Sequence, residues 1–441
     1  MYLKIFTTVF LIVNSKYLLL IDSLDGQTFN SKGVENHEDN NNKQTSKPKR
    51  YILYDVNFLE GFNLRRDVYL RTAIFVKKLS NENHSYDWIL VLPPWGSLRH
   101  WKSVDAGLQR QIPWSLFFDV SSMKKYVQVM EMHEFINEYD IDNKKTSLDC
   151  VYILQNDENM FKTGKFEEKN VVYDCLLSST LYEKESNGEI SGKFWNYDNV
   201  TTKVLKCVTF HGKAYDLRDN LLPTVYRSVM FDHMEIALHD EYGTAEFWKA
   251  RRSMRYNKEL HEIANIFRLT YLNSSDDYDK TRLPLDWTLA KGQINAIGGP
   301  YLAVHLRRQD FIISRASPTI KTTASQIKSA LQSLNLNILF IATDTDDKEL
   351  NELKKELTEI SIHRFEPPAY VKKKYKDGGV AIIDQIICAH AKFFIGTHES
   401  TFTFRIQEDR EILGLSSEST FNEICKEVNK CPAKHSWKIV W

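Results

Sequence analysis

The chain has 441 residues, 42% hydrophobic and 26% charged, with Lys+Arg and Asp+Glu equal at 58 each. That length suits about two domains with substantial cores. The balanced charge supplies no global field to hold the chain on nucleic acid or an anionic membrane, which argues against both as partners.

The N-terminus reads MYLKIFTTVFLIVNSKYLLLIDS, with an apolar run from Ile5 to Val13 that is broken at Asn14 to Lys16 and resumes at Tyr17. A spanning helix needs about 18 or more uninterrupted apolar residues, whereas about 7 to 15 suits a signal peptide. Residues 1–23 therefore read as a signal peptide, with a short membrane anchor as the rival, and no stable membrane span is expected. Residues 24–50 are rich in Asn, Asp, Lys and Ser and have too few apolar groups to order themselves, as expected of a linker. Sequons at Asn83, Asn199 and Asn273 agree with a secretory route.

Folded sequence is expected from Tyr51, where YILYDV reads as a buried strand ending in the polar turn Asn57 to Asn63. Asp67 is expected to cap an amphipathic helix of roughly Val68 to Leu79, and Trp88 to Leu92 forms the next strand before Pro93-Pro94. Between about 120 and 290 the pattern is less legible, with a strand at Val151 to Leu154 and a helical charged segment at His233 to Arg255. Periodicity returns with strands at Tyr301 to His305, Ile338 to Thr343, Ile360 to Phe365 and Phe393 to Gly396. They alternate with helices at about Ser325 to Leu334, Lys348 to Leu357, Gly379 to His390 and from Ser400. Such alternation predicts an α/β fold with parallel sheets, and a ligand in a crevice at the strands' carboxyl ends.

Three clusters fall at such ends. Leu59-Glu60-Gly61-Phe62-Asn63 follows the first strand and enters a helix, whose amino end favours an anion, although an ordinary loop with a solvated Glu fits as well. His305-Leu306-Arg307-Arg308-Gln309-Asp310 brings two Arg, a His and an Asp to a strand end, a costly arrangement unless a phosphate or mutual pairing satisfies them. The Arg308–Asp310 pair offers that second route and would leave Arg307 for ligand. The third cluster, Asp377 to Phe404, ends in the hydroxyls of Ser400 and Thr401, where N-capping and diphosphate binding are both natural. Asp384 interrupts its apolar helix as either an exposed residue or a recognition group for adjacent N–H donors. Asp344-Thr345-Asp346 has the look of a metal-holding pair, with helix-capping acids as the alternative. The six cysteines lack CxxC pairs or His partners, which suits one or two disulfides rather than a metal, with Cys388 a buried thiol.

From Tyr51 to Trp441 the chain resembles the protein O-fucosyltransferase 2 family, which fucosylates thrombospondin type 1 repeats. The motifs that carry the resemblance are EGFNLRRD at 60–67, LVLPPW at 90–95, GGPYLAVHLRRQDF at 298–311, KDGGVAIIDQIICAHAKFFIGT at 376–397 and the tail WKIVW. The resemblance implies a GT-B fold of two Rossmann-like domains, 51–290 and 291–441, facing a central cleft, with the C-terminal end packing back on the first. It implies GDP-fucose as donor, inversion at the sugar carbon, no required cofactor or metal, and the endoplasmic reticulum lumen. Glu60 and Arg307 would be catalytic, and Leu59, Glu60, Gly61, Phe62, Asn63, His305, Leu306, Arg307, Asp384, Ser400, Thr401 and Phe402 would bind the donor. Disulfides Cys175–Cys207 and Cys425–Cys431 are likewise implied, with Cys150 unpaired. Leu59 departs from the family's Pro at that position.

The proposed chemistry is a single displacement in which Glu60 takes the acceptor's proton and Arg307 with Ser400 and Thr401 steadies the leaving diphosphate. The rivals are a non-catalytic GDP-sugar or repeat-binding folding factor, and a transferase acting on epidermal-growth-factor repeats.

Overall fold

The structure, a computed structural model, describes residues 47–139, 145–292, 295–309, 311, 317–426 and 436–441. The leader and most of the linker lie outside these residues, as do Asp310 and Cys431. The linker ends sooner than expected, because strand β1 is Lys49–Tyr54. Arg50, part of a basic run in the sequence, is buried there: its guanidinium donates to Tyr226 O at 2.8 Å and lies over the rings of Tyr86 and Trp88. Partnered in this way, a charge tolerates the interior.

Further strands are β2 (Asp87–Leu92), β3 (Val129–Glu131), β4 (Thr146–Gln155), β5 (Lys169–Asp174), β6 (Glu183–Lys184), β7 (Ile190–Ser191), β8 (Val200–His211) and β9 (Ser228–Asp232). They form one sheet of order β3-β2-β1-β9-β4-β8-β7-β6, with β5 also on β8. Pairing is parallel from β3 to β8 and antiparallel among the short strands at the β8 edge. β1 reads as a continuous apolar run because both faces are covered: Ile52 and Tyr54 enter one core, Tyr51 and Leu53 another. A second sheet, wholly parallel, has order β12-β11-β10-β13 from β10 (Gly299–Leu306), β11 (Ile338–Thr343), β12 (Ser361–His363) and β13 (Ala391–Ile395).

Among the helices of the described residues, those that carry the side chains discussed below are α1 (Phe62–Glu82), α2 (Ala245–Ser253), α3 (Lys258–Tyr271), α4 (Ile320–Leu334), α5 (Asp347–Glu356), α6 (Ala369–Ala389) and α7 (Thr401–Leu413). The cap of α1 lies six residues before the expected Asp67, at Gly61, which has no side chain to cap it. Asp67 instead lies inside α1, accepting from Arg71 at 2.6 Å, beside His239 at 2.9 Å and Arg405 of α7 at 3.6 Å. Burial works against its charge, but His239, Arg405 and Arg71 outweigh it and hold the carboxyl below its usual range.

The helix expected over His233 to Arg255 is two pieces. His233 takes a left-handed conformation before a single turn at Met234–Ile236, and α2 starts only after Thr244, whose hydroxyl accepts from Phe247 N. α2 then ties the sheets together through ions: Arg251 meets Glu408 and Asp409 of α7, each at 2.5 Å, and Glu408 also accepts from Arg405. Removing one member would strand a buried charge. α6 is longer than its expected Gly379 to His390 span and contains a break at Lys376, φ 58°. Trp441 at the C-terminus lies under the Arg252 guanidinium of α2, 4.5 Å from it.

Cys175 and Cys207 are joined in a disulfide that closes a separation of 32 residues beside β5 and β8, while Cys150 and Cys388 are free and buried. Cys425 is disulfide-bonded, but Cys431 is outside the described residues. Replacing both Cys175 and Cys207 by Ser is expected to lower unfolding free energy by about 3 kcal/mol through lost loop closure. A urea titration of both proteins would measure the difference, and coincident curves would refute the contribution. The sequons fall on element boundaries, Asn83 after α1, Asn199 before β8 and Asn273 after α3.

Candidate functional site

In a parallel sheet the crevice opens where strand order reverses. In the first sheet the chain runs from β1 outward through β2 and β3, then crosses to β9 and β4 on the other side, so the reversal is beside β1. In the second it lies between β10 and β13. The turn with Glu60 follows β1, His305 to Arg307 close β10, and Gly396 to Thr401 follow β13. All three clusters therefore occupy switch points.

On the first side, Gly61 in extended conformation opens α1 without a side-chain cap. Phe62 is buried among Trp95, Trp101, Phe117 and Phe118, so only its backbone faces the crevice. The Glu60 carboxylate is half-buried and makes no hydrogen bond or ion pair to the described residues. Leu59 is 53% exposed. Asn63 Oδ1 accepts from Gln385 Nε2 at 2.8 Å, which joins the start of α1 to α6 beside Asp384. Gln385 also accepts from Arg66 at 2.7 Å.

On the second side, His305 is buried, stacks on Phe402 with ring centroids 4.3 Å apart, and shares a 2.8 Å hydrogen bond with Thr403. Burial first, then the charge of Arg307, pushes its pKa down to about 3, so the ring is neutral. Leu306 is core, and only its backbone can face a ligand. Thr397 Oγ1 accepts from Arg307 N at 2.9 Å and donates to His305 O at 2.8 Å, sewing β10 to β13. Gly396 permits this closeness, since a Cβ there would stand 2.2 Å from Thr403 Cγ2. Ser400 is the N-cap of α7 without a side-chain cap bond, and the hydroxyls of Ser400 and Thr401 have no hydrogen-bond partner among the described residues. Open amides and hydroxyls at a helix amino end suit an anion.

Arg307 joins the sides. Its Nη1 lies 3.0 Å from Asp344 of the second sheet and its Nη2 3.2 Å from Nδ1 of His100, in the loop after β2. The same imidazole borders Gly61, with Cδ2 3.4 Å from where a Cβ would stand. His100 was not evident from sequence. Its loop is seated on the break in α6: Asp377 accepts from Ser103 N and Gln109 Nε2, and Gly378 leaves room for Trp101 and Phe117. Part of the 376–397 motif is therefore scaffolding.

Asp384 is neither paired nor exposed. Its Oδ1 is buried with no hydrogen-bond partner, and burial, only partly offset by Arg364, pushes its pKa up to about 8. An orphaned buried acceptor beside a crevice suits a ligand with N–H donors. Of the two acids that resembled a metal pair, Asp346 caps α5 by accepting from Glu349 N, and Asp344 serves Arg307 and Arg308 N. Arg308 pairs with Glu349 at 2.5 Å, which makes it structural. Among the described residues no three His, Cys, Asp or Glu converge as a metal site, and no helix is long and apolar enough to cross a membrane.

The family model described as GDP-fucose protein O-fucosyltransferase matches residues 51–413. The chain is 45% identical over 398 residues to human GDP-fucose protein O-fucosyltransferase 2, covering 89% of this chain and 90% of that protein. It is 41% identical over 423 residues to the Caenorhabditis elegans protein of that name, covering 93% and 95%. Among solved structures, POFUT1 in complex with GDP-fucose superposes with TM-score 0.56 at 19% identity, over 86% of this chain and 99% of that one. The likeness speaks to the fold, which is GT-B. The chain belongs to the GDP-fucose protein O-fucosyltransferase family and is an enzyme that transfers fucose to proteins.

Proposed function

We propose that this enzyme transfers fucose from GDP-fucose, with inversion, to a Ser or Thr hydroxyl of a folded thrombospondin type 1 repeat in the endoplasmic reticulum lumen. The observation that supports the mechanism is the shared His100 ring: Gly61, next to Glu60, borders it and Arg307 hydrogen-bonds it, as expected if base and cation serve one crevice. The acceptor class rests on the resemblance of the long motifs and on relatives that share the number 2 name along most of the chain.

The acceptor oxygen attacks the anomeric carbon from the face opposite GDP while Glu60 takes its proton. The carbon–oxygen bond to the β-phosphate breaks, its electron pair leaves with GDP, and the β-linked donor becomes an α-linked product. Arg307 meets the growing phosphate charge, assisted by the amino end of α7 with Ser400 and Thr401. His305 and Phe402 form a neutral stacked wall beside them. Asp384 accepts from guanine's adjacent N–H groups, a task for the carboxylate form.

A pH dependence follows. Because the free protein holds a proton on Asp384 below about pH 8, GDP binding there must expel it. GDP affinity is expected to rise with pH up to about 8, by as much as tenfold per unit, with proton release on binding. Calorimetry in buffers of different ionisation enthalpy measures both, and Asp384→Asn flattens the profile. Affinity unchanged from pH 6 to 8 in the unmodified protein would refute this role.

The acceptor is tested by offering folded thrombospondin repeat, the same repeat reduced, and folded epidermal-growth-factor repeat in parallel with GDP-fucose, then weighing each. Only the first should gain one deoxyhexose. Gain by the growth-factor repeat alone reassigns the acceptor, and equal gain by the reduced repeat removes the requirement for a folded domain.

A further inference from the structure

The tip of the turn that presents Glu60 is poorly anchored by packing, although Val56 at its base is buried in the core. Phe58 and Leu59 are 68% and 53% exposed, so the two apolar side chains before Glu60 bury little area. Asp55 at the base is tied to Phe231 O and Met234 N, but the tip has fewer bonds: Glu60 N donates to Asn57 O at 2.9 Å, Leu59 N to Asn57 Oδ1 at 3.0 Å, and Asn57 N to Glu235 Oε2 at 3.2 Å. A base on such a turn would sample many positions unless something else held it.

Arg65, one turn into α1, supplies that hold. Its Nε donates to Glu60 O at 3.1 Å, and its Nη2 donates to Val56 O at 3.1 Å and Asn57 O at 3.0 Å. Its Nη1 lies 3.4 Å from Asp55 Oδ1. One planar fork thus gathers three carbonyls of a six-residue stretch, and every nitrogen is used within the turn. Four of its five N–H donors are spent within the turn, which separates it from Arg307. Only Arg has the fixed geometry for this, since a lysine ammonium reaches fewer acceptors and holds none of them in a plane.

We propose that Arg65 is a positioning residue of the transfer step, clamping the Asp55–Glu60 turn so that the Glu60 carboxylate stands where the acceptor hydroxyl arrives. The inference rests on the reading of Glu60 as base. Arg65 acts on the step in which the proton moves. Misplacement of a reacting group by about 1 Å costs on the order of 100-fold in rate.

The test compares the full enzyme with Arg65→Gln, Glu60→Ala and the double variant, following transfer from radiolabelled GDP-fucose to folded repeat so that residual turnover is measurable. Arg65→Gln is expected to lower kcat by about 10- to 100-fold while the calorimetric Kd for GDP-fucose and KM for the repeat stay within about twofold. In the Glu60→Ala background the same change is expected to cost nothing further, because Arg65 works through Glu60. Retained donor affinity reports a folded protein. Should Arg65→Gln fail to fold, Arg65→Lys, which keeps the charge facing Asp55, is expected to show the same split. Full kcat in a folded Arg65 variant, or an equal loss with and without Glu60, overturns the clamp while leaving the base assignment standing. Full transfer by Glu60→Ala alone overturns both, so the two failures are distinguishable.

Discussion

Glu60→Ala is expected to bind GDP-fucose as the unmodified enzyme does and to lose about 100- to 10,000-fold in transfer, the usual range for a positioned general base. A neutral Ser or Thr hydroxyl is a weak nucleophile, and the rate depends on a carboxylate receiving the proton as the bond forms. Glu60 is suited by placement: it follows the central strand β1 at its switch point, is half-buried, and has no competing ion pair among the described residues. Truncation to Ala therefore removes no hydrogen bond or ion pair among the described residues. Initial rates at saturating acceptor and calorimetry on the donor give the two quantities, and a Glu60→Ala enzyme with normal rate would remove Glu60 from the mechanism.

Arg307→Ala is expected to fail differently, with donor affinity and turnover both falling, turnover by about 100- to 1000-fold. The guanidinium meets the diphosphate in the ground state and meets more charge as the bond breaks, so both stages suffer. Its removal also takes from Asp344 Oδ2 its 3.0 Å partner and from His100 Nδ1 its 3.2 Å donor, where the loop after β2 meets the end of β10. Arg307→Lys keeps the charge but cannot reach Asp344, His100 and a phosphate together, and is expected to lie between. An Arg307→Ala enzyme that binds GDP-fucose normally and loses only turnover would place the arginine away from the ground-state diphosphate. The contrasting signatures of the two variants separate the acceptor side from the leaving side.

Much of this was legible in the sequence where burial and periodicity agree. Ile338 to Thr343 appears as a strand at the expected residues because it is an apolar run walled by polar turns and buried on both faces. The three strand-end clusters are visible for a related reason: a charged motif directly after an apolar run marks where a strand reaches the sheet's rim. What lies between 120 and 290 resisted because its order is set by non-local pairing. β4 is flanked by β8 and β9, so strands from about 50 to 80 positions later decide its place, and no local pattern encodes that. Asp67 shows the limit of capping logic, since a carboxylate before an amphipathic run fits a cap equally well as a buried partner of Arg71, His239 and Arg405. His100 lies in an aperiodic loop 207 positions from Arg307, and only the fold brings them together. Sequence alone leaves Asp384 either a surface or a recognition residue. Its buried, unpartnered oxygen excludes the surface reading but does not by itself name a ligand.

The central claim is that Glu60 and Arg307 act from opposite faces of one sugar carbon, and the anomeric configuration of the fucosylated repeat tests it most directly. Proton NMR of the first-turnover product is expected to show α-linked fucose from the β-linked donor, with no fucosyl-enzyme intermediate by mass. A β-linked product, or fucose covalently held on Glu60, would contradict the single displacement.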